Sequence, residues 1–198
     1  MSSINAIPVK HFLCLLLLLS MSTFAQVARP LSWAQKATIK GLSNAYKIDD
    51  HVFRSEQPNH KAMKELQSLG IGILLNLRHV RNDRWKGRGT KLKLEHIPIN
   101  TWRISYDELV QATGLILNAK EPVLVHCWHG SDRTGCIIAC YRIIKFHWTK
   151  EEAINELVKG GFGFHEKAFP NIVKLLNSID VEKFKTDVVK YLTGTLPI

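Results

Sequence analysis

The stretch Val123 to Gly135, VLVHCWHGSDRTG, constrains this 198-residue chain more than any other. Pro122 opens it. Val123 to His126 has the length and β-branched character of a short buried strand. From Arg133 onward, Ile137, Ile138, Tyr141 and Ile144 recur at helical spacing. Between strand and helix stand Cys127, five residues and Arg133. A strand that turns directly into a helix is a building unit of α/β architecture. Its loop faces a helix N-terminus, where unpaired N–H groups and the macrodipole favour negative charge. The N–H groups from Trp128 to Arg133 are expected to curl toward one point as an anion nest. Gly130 permits a turn that a Cβ would hinder.

These residue types suit one kind of chemistry. A phosphate monoester dianion repels nucleophiles, so a site that cleaves it must neutralise charge and supply an attacking anion. A cysteine thiolate meets the second need when its pKa is lowered. Cys127 is the candidate nucleophile. Arg133 offers a planar fork to two phosphoryl oxygens, which a lysine cannot copy. Thr134 is placed to donate its hydroxyl to the sulfur, and His126 to hold the cysteine end of the loop. Trp128, His129, Gly130 and Ser131 line the same turn. Arg78 ends a neighbouring strand on the side where α/β sheets bind ligands.

The rest of the chain supports an α/β fold with a central, mostly parallel sheet flanked by helices. His51–Ser55, Ile71–Leu77 and Leu94–Ile99 read as strands. Asn59 caps a helix carrying Ala62, Met63, Leu66 and Leu69, which Gly70 ends. Ser105/Glu108 and Thr149/Glu152 are capping-box pairs that open two more helices. Pro170 suits the first turn of another, with Ile172, Leu175, Leu176 and Ile179 on one face. Arg78–Lys93 is a basic loop, and Gly160, Gly161 and Gly163 form a flexible one.

Residues 1–25 read as a secretory signal peptide: Lys10, the apolar run Phe12–Leu19, then Thr23 and Ala25 before the cut. The apolar run falls short of the ~20 residues that span a bilayer. The reading therefore expects an exported protein, periplasmic or secreted, without stable membrane insertion after cleavage. Residues 26–45 follow as a lead-in arm, and 46–198 as the catalytic domain. The formal net charge is +10, which favours anionic partners without selecting nucleic acid specifically. Cys127, Cys136 and Cys140 remain after cleavage. None has a CxxC or Cys/His spacing for zinc, so no metal or cofactor is expected. Cys136 and Cys140 are expected to share one helix face as buried apolar residues.

HCWHGSDRTG resembles the HCxxGxxR(S/T) signature of the protein tyrosine phosphatase superfamily. With FRSEQP at Phe53–Pro58, ILLNLR at Ile73–Arg78, IPINTW at Ile97–Trp102 and GGFGFHE at Gly160–Glu166, the chain is similar to the atypical dual-specificity, exported bacterial TpbA-like branch. The resemblance implies that Cys127 becomes a phosphocysteine and that Arg133 binds the phosphoryl group. It implies a phosphorylated protein, or another phosphate monoester, as substrate. It also implies an acidic residue on an upstream loop, and there the sequence departs: Asn100–Arg103 holds no carboxylate. Asp107, in the first turn of a capped helix, and Asp132, inside the phosphate loop, remain as alternatives. Three other readings stay open: a phosphoinositide or inositol-phosphate phosphatase, a rhodanese, and a phosphate-binding module without turnover.

Overall fold

The computed structural model describes residues 29–196, so the expected signal segment lies outside the described residues. In chain order the elements are β1 (Gln35–Lys36), β2 (Tyr46–Lys47), β3 (Val52–Ser55), α1 (His60–Ser68), β4 (Ile73–Arg78) and β5 (Lys93–Ile99). They continue with α2 (Tyr106–Asn118), β6 (Val123–His126), α3 (Asp132–Phe146), α4 (Lys150–Lys159), α5 (Pro170–Ser178) and α6 (Val181–Leu192). The sheet order is β1-β2-β3-β6-β4-β5. β3, β6, β4 and β5 run parallel, and β1 and β2 extend the sheet antiparallel. This is the mostly parallel sheet that the sequence implies.

Strand alternation sorts the two faces. Leu74 and Leu124 pack with Met63 and Leu66 of α1, Ile39, Ala45 and Leu92 on one side. Ile73, Leu75, Leu77, Val123 and Val125 pack with the later helices on the other. Burying a leucine-sized side chain is worth roughly 1.5–3 kcal/mol, so a one-residue slip in register would exchange both faces. α3 is buried along most of its length, including Ile137, Ile138, Tyr141 and Ile143. It is the hub of the helical layer.

The local stop and start signals act as their chemistry requires. Asn59 accepts from the Ala62 N–H, and Ser105/Glu108 and Thr149/Glu152 form reciprocal capping boxes. Pro170 occupies the first helical position of α5. Gly70 and Gly161 take positive φ.

Two features go beyond the sequence reading. Residues 31–45, read as an arm, carry β1 and bury Ala34, Ile39 and Ala45 within the same compact unit as the sheet. Helix α6, capped by Asp180, follows Ile179 and packs Phe184 and Val188 into the core. Among the described residues no helix is long and apolar enough to cross a membrane.

Candidate active site

The segment after β6 lies at the C-terminal ends of the parallel strands. Cys127 is buried there, 1% exposed. Gly130 has φ +73°, and a Cβ on it would sit 2.4 Å from the Ser55 carbonyl carbon and oxygen. That position therefore excludes every other residue on two counts, conformation and space. The N–H groups of residues 128–133 donate to no carbonyl or side chain among the described residues. Arg133 Nε and Thr134 Oγ1 are likewise buried without a hydrogen-bond partner. Donors left without a protein acceptor beside a buried cysteine are what an anion-binding turn requires. Arg133 Nη1 donates to the Ile99 carbonyl at 3.3 Å and the Leu77 carbonyl at 3.5 Å, which orients the guanidinium from the ends of β4 and β5. The contact from the Thr134 hydroxyl to the Cys127 sulfur, suggested by sequence position, is not made: the hydroxyl has no partner.

Three supports hold this turn. Below it, Arg54 of β3 is 1% exposed and donates from Nη2 to the Gly130 carbonyl at 2.6 Å. Its guanidinium lies 3.7 Å from the Phe162 ring centroid. On the cysteine side, His126 Nδ1 bonds the Cys127 carbonyl at 3.0 Å and Nε2 bonds Asp83 Oδ2 at 2.8 Å. On the far side, Ser131 Oγ donates to the Phe162 carbonyl at 2.6 Å. Asp132 Oδ1 accepts the His165 N–H at 2.9 Å, and His165 Nδ1 lies 3.0 Å from Asp132 Oδ2. The glycine-rich segment is thereby laid against the turn.

Sequence reasoning missed Asp83 and Arg54. Asp83 sits in the basic loop, 3% exposed, and also accepts from Gln57 Nε2 at 2.7 Å. Burial opposes its charge, but the His126 hydrogen bond and charge, the Gln57 amide and Lys86 together hold its carboxyl below the usual range. Only an acidic residue among basic neighbours hinted at this role. Arg54 stood in the FRSEQP string, but nothing in its spacing showed that it faces inward.

The remaining expected residues divide. Arg78 reaches the site: Nη1 donates to Gln57 Oε1 at 2.8 Å, and its guanidinium stacks 4.3 Å from the Trp128 ring. Burial lowers its pKa first, then the repulsion of Arg81 and Arg133, against the pull of Asp83 and Cys127. Arg78, Arg81, Trp128 and Arg133 line a cavity of about 300 Å³ with His79 and Val80. Trp128 is thus a half-exposed wall rather than core. His129 is exposed beside His165, ring centroids 5.5 Å apart. Asp132 is buried within the turn. Asp107 is exposed on the first turn of α2 and makes no hydrogen bond or ion pair with a residue of the turn. Cys136 and Cys140 are free, buried thiols, and their mutual hydrogen bond together with burial pushes Cys140 well up in pKa.

Residues 52–176 match the model of the dual specificity phosphatase catalytic domain. The chain belongs to the dual specificity phosphatase family. It is 30% identical over 141 residues to the dual specificity protein phosphatase TpbA of Pseudomonas aeruginosa, covering 70% of this chain and 64% of that one. The chain therefore spans just under two thirds of the length of this curated relative. The crystal structure of P. aeruginosa TpbA superposes with a TM-score of 0.74 at 26% identity, covering 82% of this chain and 99% of that chain. A TpbA cysteine-to-serine variant in complex with phosphotyrosine gives 0.72. The inositol diphosphatase SIW14 of Saccharomyces cerevisiae is 31% identical over 87 residues, 43% of this chain and 28% of that one.

Proposed function

We propose that this protein is a cysteine-dependent phosphatase that hydrolyses phosphotyrosine, and phosphoserine or phosphothreonine, through a phosphocysteine intermediate. The observation that carries the reading is the buried Cys127 at the foot of a turn whose N–H groups and Arg133 Nε have no protein acceptor. Cys127 attacks phosphorus as the thiolate. The sulfur–phosphorus bond forms while the bond to the leaving oxygen breaks, and that oxygen takes a proton. Asp132, the carboxyl inside the turn, is the acid in this reading. Water then attacks phosphorus, the thiolate leaves, and inorganic phosphate is released. The backbone nest and Arg133 hold the equatorial oxygens throughout. His126 and Asp83 fix the backbone at Cys127, and Arg54 fixes it at Gly130.

Replacing Cys127→Ser should reduce aryl phosphate turnover by on the order of 10³-fold or more, with vanadate binding retained. Arg133→Lys should weaken both, since the bidentate fork is lost. Activity that survives Cys127→Ser would sink the reading. The phosphotyrosine complex of TpbA supports this substrate class.

A second reading is hydrolysis of inositol phosphates. It is favoured by the cations crowded around the cavity: Arg78, Arg81 and Arg133 line it, and Lys86 is lowered in pKa by burial and then by Arg78 and Arg81. The similarity to an inositol diphosphatase points the same way. Release of phosphate from phosphopeptides compared with inositol phosphates, on one purified preparation, separates the two. Export belongs to the same proposal: a mature N-terminus near Gln26 by mass spectrometry supports it, and an intact Met1 in the cytosol overturns it.

A further inference from the structure

We propose that His129, Asp132 and His165 form a binding site for one divalent transition-metal ion, of which Zn²⁺ is the representative. Each offers one ligand atom, and those atoms lie within 4.8 Å of one another. Two imidazoles and one carboxylate are a donor set that suits Zn²⁺ with a further position left open. Metal–ligand bonds of ~2.0–2.1 Å in a tetrahedron place ligand atoms about 3.3 Å apart. His165 Nδ1 already lies 3.1 and 3.0 Å from the two oxygens of Asp132. This spacing, now bridged by a hydrogen bond, is close to one edge of the coordination polyhedron: the ion takes the place of the shared proton, and the exposed His129 ring swings inward.

The backbones that carry these ligands are fixed independently of the rings. The His129 carbonyl accepts from Asn44 Nδ2 at 2.8 Å. The His165 N–H is bound by Asp132, and its carbonyl accepts from the N–H groups of Ala168 and Phe169. Asn44 Nδ2 and Ser131 Oγ both hold the Phe162 carbonyl, which positions the segment leading to His165. Asp132 is 6% exposed, whereas both histidines are exposed. A buried carboxylate beneath two accessible imidazoles allows an ion to enter without rearranging the fold. The ligands come from two segments about 30 residues apart in sequence, so no Cys/His spacing in the sequence announces them. His129 and Asp132 belong to the turn around Cys127, so an ion bound there staples that turn to the segment after α4 and withdraws Asp132 from proton donation, which makes the metal-bound form the resting one.

The test uses the purified Cys127→Ser protein, in which the reactive thiolate no longer competes for metal. Cys136 and Cys140 remain as free thiols, buried and hydrogen-bonded to each other. Zn²⁺ is titrated against a chromophoric chelator, and Co²⁺ is used as a spectroscopic stand-in. The expected result is one Zn²⁺ per chain and visible Co²⁺ bands without sulfur charge transfer. Adding His165→Ala or His129→Ala should each weaken Zn²⁺ at least ~10-fold, whereas adding His147→Asn, remote in sequence from the cluster, should not. Zn²⁺ should also raise the melting temperature of the parent but not of the His165→Ala protein. Unchanged Zn²⁺ affinity in both histidine variants, or no stoichiometric binding by the parent, would overturn the proposal. Melting curves without metal report whether each variant folds. Because none of these readouts is turnover, the outcome is independent of the phosphatase reading.

Discussion

At the scale of single residues, the open assignment is the proton donor. A poor leaving group gains typically ~10²–10⁴-fold from general acid catalysis, whereas an activated phenolate needs it far less. The true acid is therefore recognised by a defect that grows with the basicity of the leaving group. Asp132→Asn should slow phosphotyrosine hydrolysis much more than hydrolysis of an activated aryl phosphate. Asp107→Asn should cost little in either, since Asp107 is exposed and already explained by the N-terminus of α2. Asp132 also anchors His165 through three contacts. Substitution can thus loosen the turn, and vanadate affinity has to be measured beside the rates. A uniform loss with weak vanadate binding makes Asp132 a structural anchor, and a leaving-group-dependent loss in Asp107→Asn moves the acid to α2.

At the scale of elements, the helices that hold the turn are coupled by a buried ion pair. Arg142 of α3 meets Glu156 of α4 in a bidentate arrangement, Nε–Oε2 3.0 Å and Nη2–Oε1 2.9 Å, with both residues about 97–98% buried. The Ala34 N–H also donates to Glu156 Oε1, so the same carboxylate ties down the segment before β1. Removing one partner strands a buried charge. Glu156→Ala should therefore cost about 3–5 kcal/mol and lower the melting temperature by roughly 10 °C, read by calorimetry. Replacing both partners together, Arg142→Met with Glu156→Leu, should recover much of that loss. If the double variant is no better than Glu156→Ala, the pair contributes more than its desolvation cost.

The same scale shows what a sequence makes legible. Caps, prolines and the β6–turn–α3 unit were readable because their signals are local: a hydroxyl three residues from a carboxylate, a ring at the first helical position, a cysteine and an arginine with five residues between them. Strands β1 and β2 were not readable, because two residues cannot display a period. Asp83 and Arg54 were not assigned roles, and His165 was read as a surface residue near the pocket, for a different reason. Each acts on the turn from 33 or more positions away in sequence, and the contacts exist only once the strands and the segment after α4 are folded together.

At the scale of the whole molecule, charge decides how substrates arrive. The formal net charge is +10, and cleavage after Ala25 would remove only Lys10, leaving about +9. Arg78, Arg81 and Arg133 line one cavity, which concentrates positive charge at the mouth of the turn. Such a field raises the capture rate of anions in proportion to their charge, and salt screens it with a Debye length of about 8–10 Å near physiological ionic strength. Bonds inside the turn act over shorter distances and in lower dielectric, so salt affects them little. The two contributions are separable by ionic strength. Raising salt from roughly 20 to 500 mM, a range over which the Debye length shrinks several-fold, should lower kcat/KM and leave kcat nearly unchanged. The slope should be shallow for a small aryl phosphate and steep for an inositol polyphosphate or an acidic phosphopeptide. Arg81→Ala, on the cavity rim, should flatten the slope for the polyanions only. A loss of kcat itself with salt would instead place the effect on the bound phosphoryl group. Equal slopes for all substrates would mean that the basic loop takes no part in their recognition, and the preference for polyanions would lose its physical basis.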